Sequence, residues 1–353
     1  MKNSLKIFLS SIVLLQLNSC YFVNQGFNLF KYNLSAKPLD EIYKNPKISQ
    51  KVKDKIKIIY DIREFATKNI GLKMNKTYTK YVQLKGRDYL TNVVVGSKSD
   101  KLEAYQWGFP FFGSFPYKGF YNYGEARDEE LRLKSLGYDT YIRTAGAFST
   151  LGWFDDPIYS YMLNYPTEYL ANLVIHEMTH ATVFIKDNIQ FNEEMASFVG
   201  EQGGIDFLKS KYGENSKEYK LSFDLKDDDK IFSVYVNEFY NSLKNLYSDN
   251  SKNKEDKLVL KQKIIDSYRF EKFRELQKKF KTPGAYAWFP KLHLNNAVIM
   301  GFITYQQDAS LYRQVYNKQG HDLTKTVEFF KYLQSQDPKD PKQFLKNYLN
   351  DVK

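Results

Sequence analysis

The sequence has 353 residues, 42% hydrophobic and 17% aromatic, which is enough apolar material for one large or two small packed domains and too much for a disordered chain. The formal net charge of +11 comes mainly from lysines scattered among acids, with no basic block carrying interleaved aromatics, so a solvated surface is expected and nucleic acid is not an expected partner. A single cysteine, Cys20, excludes a disulfide framework and a zinc site built from several thiolates.

The first residues read as an export signal. Lys2 and Lys6 make a positive start, and Ile7 to Leu17 make an apolar run too short to span a bilayer comfortably. Leu17-Asn18-Ser19-Cys20 resembles the lipobox of bacterial lipoproteins, although Asn18 departs from the small or apolar residue usual there. The resemblance implies cleavage before Cys20, lipidation of its sulfur and a membrane anchor through that lipid. Tyr21 rather than an aspartate follows, which favours the outer membrane, facing the periplasm. The expected organisation is a signal peptide over 1–19, a tether over 20–34 and a folded domain over 35–353.

Apolar residues at helical spacing (Ile58, Ile62, Phe65, Ile70) predict one or two helices over 39–73. Clustered β-formers predict two strands of a sheet over 78–95. The stretch 107–123, rich in aromatics, Gly and Pro, reads as a compact loop with short extended pieces. A helix over 125–136 closed by Gly137, a strand over 138–148 and a turn over 152–157 follow. From Pro166 the period becomes helical, with Leu170, Leu173, Val174, Glu177, Ala181 and Phe184 on one stripe. A second helix is expected from about Asn192, a good N-cap residue. Further helices are expected over about 217–248, 253–280, 294–318, 324–335 and 341–350. The fold class is α+β, predominantly helical, with a small sheet in the N-terminal half: a sheet-bearing part over about 35–165 and a helical part over about 166–353.

His176-Glu177-Met178-Thr179-His180 carries the chemistry. Two histidines four apart on a helix stack on one face and can share one ion. Zinc accepts neutral imidazole nitrogens, and a catalytic zinc takes three protein ligands and keeps one position open. Glu177, beside the first histidine, can take a proton from water activated by the ion. A further histidine in the pattern HExxHxxGxxH is excluded, because Val183 and Lys186 stand where that pattern needs Gly and His. The remaining source of a third ligand is a glutamate on the next helix. Glu193 suits best; Glu194 points about 100° away, and Glu201, a little over two turns on, is a further rival.

The run Asn192-Glu193 followed by Ala196-Ser197 after HExxH resembles the gluzincin pattern, with shorter spacing than in thermolysin-like enzymes. More specifically, the chain resembles a family of predicted bacterial aminopeptidases, many of them lipoproteins. The matching stretches include Cys20-Tyr21-Phe22, Trp107-Gly108-Phe109-Pro110, Ala147 through Pro157, Phe191 through Gly200, Leu294-Asn295-Asn296-Ala297 and Tyr305. This resemblance implies a zincin-like fold, one zinc ion per chain and hydrolysis of peptide bonds. It makes His176, His180 and Glu193 the ligands and Glu177 the base. The Gly-x-Met-Glu-Asn element that binds the substrate amine in the best-known HExxH aminopeptidases does not occur.

Other candidates follow from the chemistry. An edge strand beside the motif helix can pair with an extended peptide, and Tyr141, Arg143 and Ala145 lie on the predicted strand. An oxyanion needs a donor, for which Tyr305, His293 and Arg143 are available. Asp155 and Asp156 can bind an amine, orient a histidine or cap the turn before Pro157. The competing function is a non-catalytic peptide-binding or envelope-assembly lipoprotein that retains the fold.

Overall fold

The computed structural model describes residues 31–32, 34–109, 113–145, 156–304 and 309–351. The export signal, the lipobox with Cys20, Asp155 and Tyr305 therefore lie outside the described residues. The chain enters through β1 (Lys37–Pro38), α1 (Leu39–Lys44), α2 (Gln50–Asn69) and β2 (Lys80–Val82). Ile56, Ile59, Ile62 and Ala66 recur at three- and four-residue steps along α2 and are fully buried. Arg63 of the same helix is buried too, and its guanidinium donates to Asn75 O at 2.6 Å and to Thr77 O. These bonds pin the turn that follows α2.

Next come β3 (Thr91–Lys98), β4 (Trp107–Phe109), β5 (Gly113–Phe115), β6 (Tyr117–Phe120), α3 (Tyr123–Ser135), β7 (Tyr138–Ala145) and β8 (Ile158–Tyr159). The main sheet is antiparallel in the order β6-β3-β7, with Val93 opposite Gly119 and Arg143. The valine run of β3 does not alternate with polar residues because both faces are covered. Val94 packs toward α3 with Trp107, Ala126 and Leu133, while Val93 and Val95 pack on Ala297 from a helix near the C-terminus. The two strands expected over 78–95 belong to different sheets: β2 pairs antiparallel with β1 and parallel with β8. Local alternation marks a strand but carries no signal for its partner.

Among the described residues all remaining regular structure is helical: α4 (Thr167–His180), α5 (Ile189–Tyr212), α6 (Lys217–Ser248), α7 (Lys254–Asp266), α8 (Phe273–Gln277), α9 (Asn296–Thr304), α10 (Ser310–Lys318), α11 (Leu323–Ser335) and α12 (Pro341–Asn350). The helix expected over 253–280 is broken by a π-helical turn at Ser267–Lys272. The one expected over 294–318 is two helices, α9 and α10. The fold is thus α+β and predominantly helical, as the sequence pattern indicated. One buried cluster runs from Leu39 through α2, α4, α5 and α11 to Leu345. A second, rich in aromatics (Phe232, Tyr235, Phe239, Tyr268, Phe273, Phe289), joins α6 to α8 and α9. Among the described residues no helix is long and apolar enough to cross a membrane.

Candidate metal centre

Helix α4 starts behind Pro166 with Glu168 in its first turn, where an acid suits the helix dipole. Leu170, Ala171, Val174, Ile175 and Met178 bury one side of it. It stops at His180, so Ala181 and Phe184, expected on its apolar stripe, lie beyond its end. The return to α5 is fixed by Asn192. Its side chain accepts from Ile185 N and donates to Ile185 O, both at 2.8 Å, and it is fully buried. Asn192 is therefore not the N-cap of the second helix. α5 begins at Ile189, and the asparagine staples the loop instead.

The two helices approach closely because α5 presents glycines to α4. A Cβ built on Gly200 would lie 2.6 Å from Asn172 Oδ1, 2.9 Å from Asn172 O and 3.0 Å from His176 Cβ. One on Gly203 would meet Ile70 Cδ1 at 2.7 Å, and one on Gly204 would meet Asn172 N at 3.2 Å. Only hydrogen fits at Gly200 without displacing backbone. This contact brings the start of α5 over the end of α4.

The result is a convergence of three side chains. His176 Nε2 and His180 Nε2 are 3.1 Å apart. Glu193 Oε2 lies 3.6 Å from His176 Nε2, and Glu193 Oε1 lies 3.4 Å from His180 Nε2. Zinc–nitrogen bonds of about 2.0–2.1 Å meeting at tetrahedral angles put donor atoms roughly 3.3–3.4 Å apart. The three separations bracket that value, so the donor set fits one zinc ion. Burial alone would raise the Glu193 carboxyl, but the two imidazoles beside it hold it down at about 2. Behind the cluster, Ser197 Oγ is 3.3 Å from His176 Nδ1, which leaves Nε2 to face His180 and Glu193. His180 Nδ1 is buried with no hydrogen-bond partner among the described residues.

The rival glutamates are engaged elsewhere. Glu194 is buried against Tyr312 and Lys342, and Glu201 is bridged by Lys226 and by Arg313 at 3.3 Å. Glu177, next to His176 in the sequence of α4, is buried. Its charge reaches Tyr78, a fully buried tyrosine at φ +59° whose phenol is raised well above its ordinary value by burial and then by Glu177 and Asp156. The main chain of Asp156 accepts from Tyr78 N at 2.7 Å.

Tyr141, Arg143 and Ala145 lie on β7, an edge strand of the main sheet. Ala145 O accepts from Leu90 N at 3.0 Å, and Thr140 O on the outer side accepts from Asn295 Nδ2 at 2.9 Å. By the alternation of antiparallel pairing, the outward backbone groups that follow Thr140 belong to Ile142 and Thr144. Tyr141 and Arg143 line a cavity of about 420 Å³ with Asp229, Phe232, Tyr286 and Phe302. His293 lines a separate cavity of about 520 Å³ beside Tyr138 to Ile142.

Sequence reasoning did not find Ser197, the staple role of Asn192, the glycine contact or the Glu194–Lys342 pair. Gly200-Glu201-Gln202-Gly203-Gly204 within a helix was the one legible signal, since helix-interior glycines need a packing reason.

In comparison with known proteins, the model of the family described as "putative aminopeptidase" matches residues 20–345. No curated protein and no solved structure matches the chain.

Proposed function

The chain belongs to this aminopeptidase family, and from that premise we propose that it is a one-zinc, zincin-like metallopeptidase with His176, His180 and Glu193 as ligands and Glu177 as general base. The observation that carries the reading is the convergence of the two imidazoles and the Glu193 carboxylate within 4.8 Å of one another, with Glu177 buried on the same helix turn.

A zinc ion, when bound, supplies Lewis-acid charge there and makes a neighbouring water acidic near neutral pH. Glu177 takes the proton from that water as it attacks the peptide carbonyl, then passes it to the departing amine. Burial keeps bulk water away from the carboxylate during the transfer. Ser197 holds the His176 ring so that Nε2 stays directed at the centre. Extended substrate pairs along the outer edge of β7 at Ile142 and Thr144, because Asn295 already occupies Thr140 O. The cavity lined by Tyr141 and Arg143 receives a substrate side chain. Family membership favours attack next to a free amino terminus. With Cys20 lipidated, as the lipobox reading implies, the enzyme works on peptides at the periplasmic side of the membrane.

The test uses the soluble chain lacking residues 1–20, loaded with zinc and given paired peptides with free or acetylated amino termini. Wild type should cleave the free-amine peptide. Glu177→Gln should retain zinc and lose turnover by about 10²–10⁴-fold, the usual worth of a general base. Cleavage undiminished in Glu177→Gln would remove Glu177 from the mechanism. Equal cleavage of acetylated peptides would remove the exopeptidase assignment.

A further inference from the structure

The zinc reading leaves a buried charged residue unused one position from a ligand. Glu194 is only 2% exposed and points away from the histidines. Its Oε1 accepts from Gln190 Nε2 at 2.9 Å, and its Oε2 accepts from the Tyr312 hydroxyl at 3.2 Å. Lys342 of α12 straddles the carboxylate, with Nζ 2.9 Å from Oε1 and 2.7 Å from Oε2. The Tyr312 hydroxyl also lies 3.1 Å from Phe191 O. Glu193 itself stands only four residues after the start of α5, and that start has no side-chain cap. The Asn192–Ile185 bonds tie this start on one side of Glu193 only, and a second tie at Glu194 is needed to hold the other against fraying.

Neighbouring helical residues point about 100° apart, so anchoring Glu194 fixes the direction of Glu193. We propose that the Lys342–Glu194 ion pair, with Tyr312, is the positioning device that sets the rotation of the α5 start and aims Glu193 at His176 and His180. Glu194, Tyr312 and Lys342 are positioning residues, and the inference rests on the zinc site proposed above. Without Lys342 the Glu194 carboxylate is buried without its cation, which is strongly unfavourable. It escapes by swinging into the cavity of about 530 Å³ that borders Glu194, Lys342 and Lys346. That swing turns the helix start and carries Glu193 off the imidazoles.

The experiment measures zinc affinity by competition with a chromophoric chelator, at a temperature where circular dichroism reports full native helix. Lys342→Met should weaken zinc binding by about 10-fold, the lower range for residues that support metal ligands. Lys342→Arg, which keeps the charge, should stay close to wild type. Tyr312→Phe should lose about threefold, less than Lys342→Met, because Lys342 still holds the Glu194 carboxylate. If Lys342→Met does not hold native helix, Tyr312→Phe decides by the same criterion. A lowered melting temperature with unchanged zinc affinity would mean that the pair is structural only and would overturn this inference alone. A wild-type chain that binds no zinc would overturn the inference and the zinc site together.

Discussion

Glu193 is the residue on which the site turns, and its acidity gives a direct handle on it. Its carboxyl is held at about 2, below an ordinary 4.5, by two imidazoles. A folded-state value below the unfolded one contributes stability that is present above the unfolded value and is lost as pH falls through the folded value. In chelator-treated protein, wild type should therefore melt above Glu193→Gln at neutral pH, and the gap should close between about pH 4.5 and pH 2. A gap that widens on acidification would contradict the arrangement. His176, Glu177 and His180 were legible because a four-residue step on a helix is a local geometric fact. Glu193 was legible because it follows the motif closely, in the first turns of the next helix. Tyr312 and Lys342 were not, because they meet Glu194 across 118 and 148 residues of chain, and one sequence carries no signal for such a meeting.

At the scale of elements, the pairing of α4 with α5 decides whether the three donors converge. Gly200→Ala puts a methyl 2.9 Å from the Asn172 carbonyl and 3.0 Å from His176 Cβ. Backbone cannot yield cheaply there, so about 1–3 kcal/mol of stability should be lost. Zinc affinity should fall with it, because the methyl presses on the ligand helix. Thermal melts and a zinc titration check both, and unchanged affinity in a folded Gly200→Ala protein would show that the contact does not set the ligand geometry. Helix extents such as Lys217–Ser248 and Pro341–Asn350 were readable from period alone. Errors arose where a residue has two uses. Asn192 suits an N-cap but staples Ile185, and the stripe read through Phe184 ignored that α4 ends at His180.

At the scale of the whole molecule, the fold class was legible in the sequence pattern, because among the described residues helices outnumber short strands that all fall between Lys37 and Tyr159. It did not give the partition of strands into sheets, nor the division of the core into a cluster around the motif helix and an aromatic one around α6. Both depend on contacts between distant segments. In the proposed function, the sheet edge, the α4–α5 pair and the C-terminal helix serve a single zinc-dependent centre. The most direct test is peptide turnover by the metal-stripped soluble chain as zinc is added back. Turnover should rise in proportion to zinc and level off at one zinc per chain, as expected for three protein ligands and one open position. Turnover independent of zinc, or a fully zinc-loaded chain that cleaves no peptide, would contradict it.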